Sequence, residues 1–426
     1  GRLRGHRPVT EASGTPSAGP TLALVGATGR LAEAVAARLA LSTDRWGEIR
    51  LLSPRMTTRT LPVRGREQAV EVLTEDSFAG VDVAMLNLPA EQTPEVVAAA
   101  VAAGATVIDT SPVHRLDPDV PLVVPGINGE RAQHRPKGVV ALPGAVTWAL
   151  IDTAHVLHQG WELQHLVVTG LIAAVSKSDR GVARLREELH TVAGDPSIGQ
   201  HPGDVRAAVS DLPVGSPFPA PLALNVIPWV GQPGEGGFTS AELSVGDEVR
   251  KVLGLAESVP VVATLVQVPV VLAHSMALHA RCARPVAIDK VRAACVAAPS
   301  LVHLDEETGE VPTPVDSVGI DPRFVGRIRQ PKGAGHHVDM FVSADTTRRG
   351  ASAMLLVAEL VGAHDEPDEH PRPAPSAARP RRRRAMTSSS GMPRARSSCA
   401  VPTPPSSPKS PRTSASSRCS SAQSLR

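Results

Sequence analysis

The sequence of 426 residues contains no tyrosine, and its aromatic content is only 2 %. A core with so few rings must be assembled from valine, alanine and leucine. The 42 % apolar composition supplies enough of them for a soluble α/β protein of two domains. Cysteine is scarce as well. Cys282, Cys295, Cys399 and Cys419 fall in no CxxC spacing, which excludes a zinc site or a disulfide framework and fits a reducing cytoplasm. A membrane-length apolar run is also missing. The most apolar stretch, 259–280, is interrupted by Pro260, Gln267, Pro269, His274 and His279 and suits a pair of strands better than a membrane span. Arg2, Arg4 and Arg7 lead into Pro, Thr and Ser, so no secretory signal is expected. Acidic residues are absent from 370–426, which hold 12 Lys and Arg; the rest of the chain therefore carries a net charge of −10 against +2 for the whole.

Residues 1–19 and 366–426 are rich in Pro, Ser, Ala and Arg without apolar periodicity. Such segments cannot bury enough surface to offset the entropy of ordering, and both are expected to be disordered. The arginines at 381–384 could bind nucleic acid or anionic lipid. The tail has no aromatic residue to stack on bases, so nucleic acid is not expected as a partner, and a solvated extension or a carboxy terminus altered by a coding shift is the simpler reading.

Between the tails, short apolar runs alternate with helical patterns. Strands are expected at 22–25, 49–52, 81–86 and 106–109, and helices at 31–39 and 94–103. That alternation describes a doubly wound parallel sheet. After Pro143 the texture changes. A helix at 147–157 leads into long β-branched runs at 166–172, 261–271 and 340–343, with amphipathic helices at 182–189, 247–253 and 289–297. The fold class expected is α/β: a Rossmann-type dinucleotide-binding domain over 20–143, completed by the helix 347–363, and an α+β domain over 144–346 with a mostly antiparallel sheet.

Gly26-Ala-Thr-Gly29 follows a strand and opens a helix, with Ala32 where a third glycine often sits. Glycines there allow a tight turn on which a pyrophosphate can rest against the helix amino terminus. The second strand ends in Leu52-Ser-Pro-Arg55, with no acidic residue to hold a ribose 2′-hydroxyl. Arg55 fits a 2′-phosphate, and so NADP over NAD. A solvated surface arginine is the other reading.

These segments, LVGATGRLAEA, VIDTSPVHRLDPDVPLVVPGIN, LALNVIP, VPVVLAHS, TPVDSVGIDPRFVGRIR and ADTTRRGA, resemble in order and spacing the aspartate-semialdehyde dehydrogenase family along most of residues 21–363. The resemblance implies an NADP(H) site at Gly26, Thr28, Gly29, Arg30, Leu31 and Arg55, a homodimer formed by the second domain, and reductive dephosphorylation of an acyl phosphate through a cysteine thioester. It makes His274 the acid/base, with a buried structural histidine as the alternative. It places Arg115 and Lys137 at anion contacts and Arg250 and Lys251 on a segment lining the substrate pocket, although a solvated helix face explains the last two as well.

The resemblance also shows what is gone. The nucleophile position, in Val139-Val-Ala-Leu-Pro-Gly-Ala145-Val-Thr, is alanine, and the asparagine before it is Gly144. The substrate-binding arginine falls at Gln267, the glutamine after the next strand at Ile172 or Ala173, and the second glycine-rich loop is Leu-Pro-Ala-Glu at 88–91. An alanine methyl cannot form a thioester. Ser176 and Thr147 are poor substitutes, because neither sits at the corner or has an evident base. His155, His158 and Asp152 read as a helix face, and no metal is expected. The sequence thus describes a non-catalytic or impaired paralogue, as a homodimer or paired with an active homologue, that keeps a small-molecule site. The alternative is an NADP-dependent oxidoreductase on a small aldehyde or acyl substrate that needs no covalent intermediate.

Overall fold

The computed structural model describes residues 19–362 apart from 41–44, 214, 305–306 and 308. The expected terminal extensions, with the arginine run and Cys399 and Cys419, lie outside the described residues. Leu22–Val25, Val83–Leu86 and Thr106–Asp109 are buried at every position because both faces of their sheet are covered. This sheet is wholly parallel, in the spatial order Glu71–Val72, Ile49–Ser53, Leu22–Val25, Val83–Leu86, Thr106–Asp109, Val139–Ala141. The order changes direction between Leu22–Val25 and Val83–Leu86, and a crevice opens at such a switch point beyond the strand carboxyl ends. Helix Thr346–Gly362 returns to pack against helix Arg30–Leu39 and strands Val83–Leu86 and Thr106–Asp109.

The second sheet runs Val261–Gln267, Leu163–Ile172, His274–Cys282, His337–Ala344, Arg323–Arg329, Leu301–His303. Its three central pairings are antiparallel and both outer ones parallel, so it is a mixed sheet. The run 261–271 is not one strand: it ends at Gln267, and a new strand begins at His274 after Ala273, at φ +63°.

Three helices start more than one residue earlier than expected, the one expected at 182–189 spanning Ser178–Ala193. The corner helix spans Ala145–Trp161, which makes Ala145 its first residue. The helix expected from Asp247 starts at Ser240, where Thr239 and Glu242 form a reciprocal capping box, and Glu248 lies buried in its middle. The described residues form one compact unit, in which the corner helix touches strands Leu163–Ile172 and His274–Cys282 and helix Thr346–Gly362.

Candidate functional site

The glycine turn shows two kinds of glycine. Gly26 has φ +86°, and a Cβ there would collide with the Asn87 carbonyl oxygen, so the fold itself requires glycine. Gly29 caps the helix at φ −98°, and a Cβ would meet only Asn87 Nδ2 at 3.5 Å and Gly26 O at 3.9 Å. No protein atom demands glycine at 29, so a ligand approaching the helix end would account for it.

Gly29, Arg30 and Leu31 line a cleft of about 390 Å³ that runs past Asn87 and Thr110 to Ala145 and Trp148. Thr110 Oγ1 donates to Asn87 Oδ1 at 3.1 Å, which orients the amide. The Nδ2 group has no hydrogen-bond partner among the described residues. Neither residue stood out in the sequence, because a lone Asn after a strand has no motif. Arg30 pairs with Asp179 across the cleft. Arg55 is exposed and its guanidinium makes no hydrogen bond or ion pair among the described residues. The cation tied to the glycine turn is instead Arg59, which donates to the Thr28 carbonyl at 2.5 Å and pairs with Glu33.

Ala145 is solvent-accessible and borders a second cavity, of about 360 Å³, shared with Gly144, Thr147, Ser176, Glu248 and His274. The corner therefore stands where the two spaces meet. The Ala173 N–H donates to His274 Nδ1 at 3.1 Å, so the neutral ring carries its proton on Nε2. Burial pushes the imidazole down to about 4, with only Asp345 opposing, which makes His274 a neutral hydrogen-bond donor near pH 7.

Other expected contacts are occupied by the protein. Arg115 borders both cavities, but Nε donates to Leu142 O at 3.0 Å, Nη2 to Thr110 O at 2.6 Å and Nη1 to Glu248 Oε1 at 3.0 Å. Gln267 is buried: Nε2 donates to Ile172 O at 2.7 Å, and Oε1 accepts from Ser176 Oγ at 3.1 Å. It lines neither cavity. Ser176 thus donates to an amide, not to a base. Lys137 is at the surface, held by both oxygens of Asp117 at 2.8 and 2.7 Å, and that pairing raises its pKa. Arg250 pairs with Asp247 at 2.7 Å and borders a different depression, beside Leu116 and Glu257. Lys251 donates to the carbonyls of Arg115, Asp117 and Val120 and so fixes the loop that carries Arg115. Among the described residues, no group of three His, Cys, Asp or Glu is placed to hold a metal. Nor is any helix among them long and apolar enough to cross a membrane.

Residues 21–135 match the semialdehyde dehydrogenase NAD binding domain, and residues 156–349 match the semialdehyde dehydrogenase dimerisation domain. An aspartate-semialdehyde dehydrogenase of Streptomyces akiyoshiensis is 31 % identical over 343 residues, spanning 80 % of this chain and 98 % of the relative. One of Corynebacterium glutamicum is 32 % identical over 351 residues, spanning 80 % and 99 %. The solved aspartate semialdehyde dehydrogenase II of Vibrio cholerae, complexed with ASA, shares the fold with a TM-score of 0.74 at 24 % identity, covering 82 % of this chain and 100 % of that one. With both sheets matched and nearly the whole length of each relative aligned, the chain belongs to the aspartate-semialdehyde dehydrogenase family.

Proposed function

We propose that this chain binds NADP(H) and a small anionic ligand but does not carry out the family's covalent reaction, acting as a non-catalytic member in the cytoplasm. The observation that carries this reading is Ala145: it lies at the first position of the corner helix, at the junction of the two cavities, where acyl transfer needs a thiolate. The neighbouring groups support it. Arg115 is neutralised by Glu248, and Gln267 is turned inward onto Ile172 and Ser176. Lys137 and Arg250, offered by the resemblance as anion contacts, are paired elsewhere, which leaves the cavity bordering His274 without either.

The residues present suit a dinucleotide. The Gly26 to Gly29 turn and the amino end of the Arg30–Leu39 helix would receive the pyrophosphate, Arg55 the 2′-phosphate, and Asn87 Nδ2 would donate at the inner end of the cleft. NADPH, when bound, supplies hydride. One observation favours a second reading, reduction of a small aldehyde without a covalent intermediate: the Nε2–H of His274 is left to hydrogen-bond a carbonyl oxygen in the cavity it borders. Either way the chain pairs with a second copy, or with an active homologue, through its dimerisation domain.

Titration calorimetry of the full chain with NADPH tests the binding half of the proposal. Saturable binding is expected. An absence of heat up to millimolar NADPH would reduce the parallel sheet to a scaffold.

A further inference from the structure

A cavity of about 1030 Å³ is separate from the cleft at Ala145. It lies between the corner helix, the Ile288–Ala297 helix and the Thr346–Gly362 helix. Its walls are mainly apolar, including Ile127, Val156, Ala294 and Leu356, and its volume is at the upper end for small-molecule sites.

One cation in its lining is unmatched. Among the described residues Arg349 has no carboxylate partner, its Nε is buried without a hydrogen bond, and its guanidinium rests 5.9 Å from the centre of the Trp148 ring. Its neighbours increase the imbalance. Arg38 and Arg323 are close enough to feel its charge. Two nearby acids are already engaged, Asp321 by Arg38 and Arg348, and Asp152 by Arg323 and by Ser300 Oγ at 2.8 Å, and a third, Glu359, borders the cavity from an exposed position without pairing with Arg349. Arg349 is partly buried with its Nε shut off from water, and a carboxylate satisfies such a guanidinium through charge-assisted hydrogen bonds.

We propose that this cavity is a second ligand site, which binds an amphipathic monocarboxylate with its carboxylate on Arg349 and its apolar body against Ile127, Val156 and Leu356. Trp148 borders the cleft beside Ala145 and also supports Arg349, so its fluorescence reports on the wall between the two spaces.

The probe is 4-phenylbutyrate, titrated into the full chain by calorimetry and tryptophan fluorescence, with 4-phenylbutyramide as the uncharged control. The proposal expects saturable binding of the carboxylate, and binding of the amide at least about tenfold weaker. Arg349→Gln should weaken carboxylate binding by the same factor. Ala294→Phe, which fills the apolar wall and leaves Arg349 in place, should weaken both probes. Equal binding of acid and amide, unchanged affinity in Arg349→Gln, or no binding of the carboxylate by 5 mM overturns the proposal. So does an Ala294→Glu variant that sediments as a monomer where the parent is a dimer, because the cavity would then be filled by a second copy of the chain.

Discussion

Arg115 Nη1 and Glu248 Oε1 stand 3.0 Å apart directly against Gly144, whose N–H donates to the other carboxylate oxygen at 2.8 Å. Three segments distant in sequence thus close around the corner before any ligand arrives. A Cβ on Gly144 would lie 2.7 Å from Arg115 Nη1. A side chain at 144 would have to displace the Arg115 guanidinium from its bonds to Leu142, Thr110 and Glu248.

Gly144→Asn should therefore destabilise the protein by about 1–3 kcal/mol, the usual cost of overpacking, even though its φ of −69° suits any residue. Urea unfolding measures this. Glu248→Ala, by leaving the half-buried Arg115 charge unpaired, should cost at least as much, about 3 kcal/mol. A neutral result for both would show that the corner is loose.

The two glycines of the turn should separate fold from ligand. Gly26→Ala places a side chain at φ +86° against the Asn87 carbonyl and should lower stability by about 2–4 kcal/mol. Gly29→Val should leave the melting temperature within a few degrees and weaken NADPH binding at least about tenfold. If Gly29→Val binds NADPH as well as the parent does, the pyrophosphate does not rest on that turn.

Much of this organisation was legible in the sequence, for identifiable reasons. The parallel strands are buried on both faces, so their apolar runs are continuous, and the glycine turn is marked by its place between a strand and a helix. Other parts were hidden by position. The mid-helix place of Glu248 depends on a capping box upstream of it, at Thr239 and Glu242, which polar surroundings obscure. Gln267 reads as a lost substrate contact, yet the structure uses both ends of its amide within the protein. The pairing of Arg115 with Glu248 spans 133 residues, and no local pattern announces it.

Burial holds the folded-state pKa of His274 at about 4, below the 6.5 of an unhindered histidine. Above pH 6.5 the ring is neutral in both folded and unfolded chains and contributes no pH dependence. Between about 6.5 and 4 only the unfolded chain takes up the proton, so stability should fall as pH falls, by on the order of 3 kcal/mol in total. Urea unfolding at pH 7.5, 5.5 and 4.5 should show this loss in the parent and a shallower one in His274→Gln. Parallel profiles would mean that the ring is not buried neutral.

Dimerisation should use the face of the second sheet that carries Thr169, Val262, Thr264 and Ala277. All four are exposed and alternate with buried residues along their strands. Thr169 pairs with both Thr264 and Ala277, which puts it in the middle of that face. Sedimentation at micromolar concentration should give a dimer for the parent and a monomer for Thr169→Arg. A monomeric parent removes the face from consideration.

The central claim is that the corner at Ala145 does not form a thioester, and turnover tests it most directly. NADPH formation is followed with aspartate semialdehyde and phosphate in the parent, in Ala145→Cys and in Ala145→Cys with Gln267→Arg. The parent should show no turnover. Ala145→Cys should not restore it, because Arg115 stays bound to Glu248 and misplacing a substrate by about 1 Å alone costs on the order of 100-fold. The double variant should recover little, since position 267 faces Ile172 and Ser176, not the cavity. Turnover by the parent at about 1 per second or more, within the ordinary enzyme range, would contradict the account.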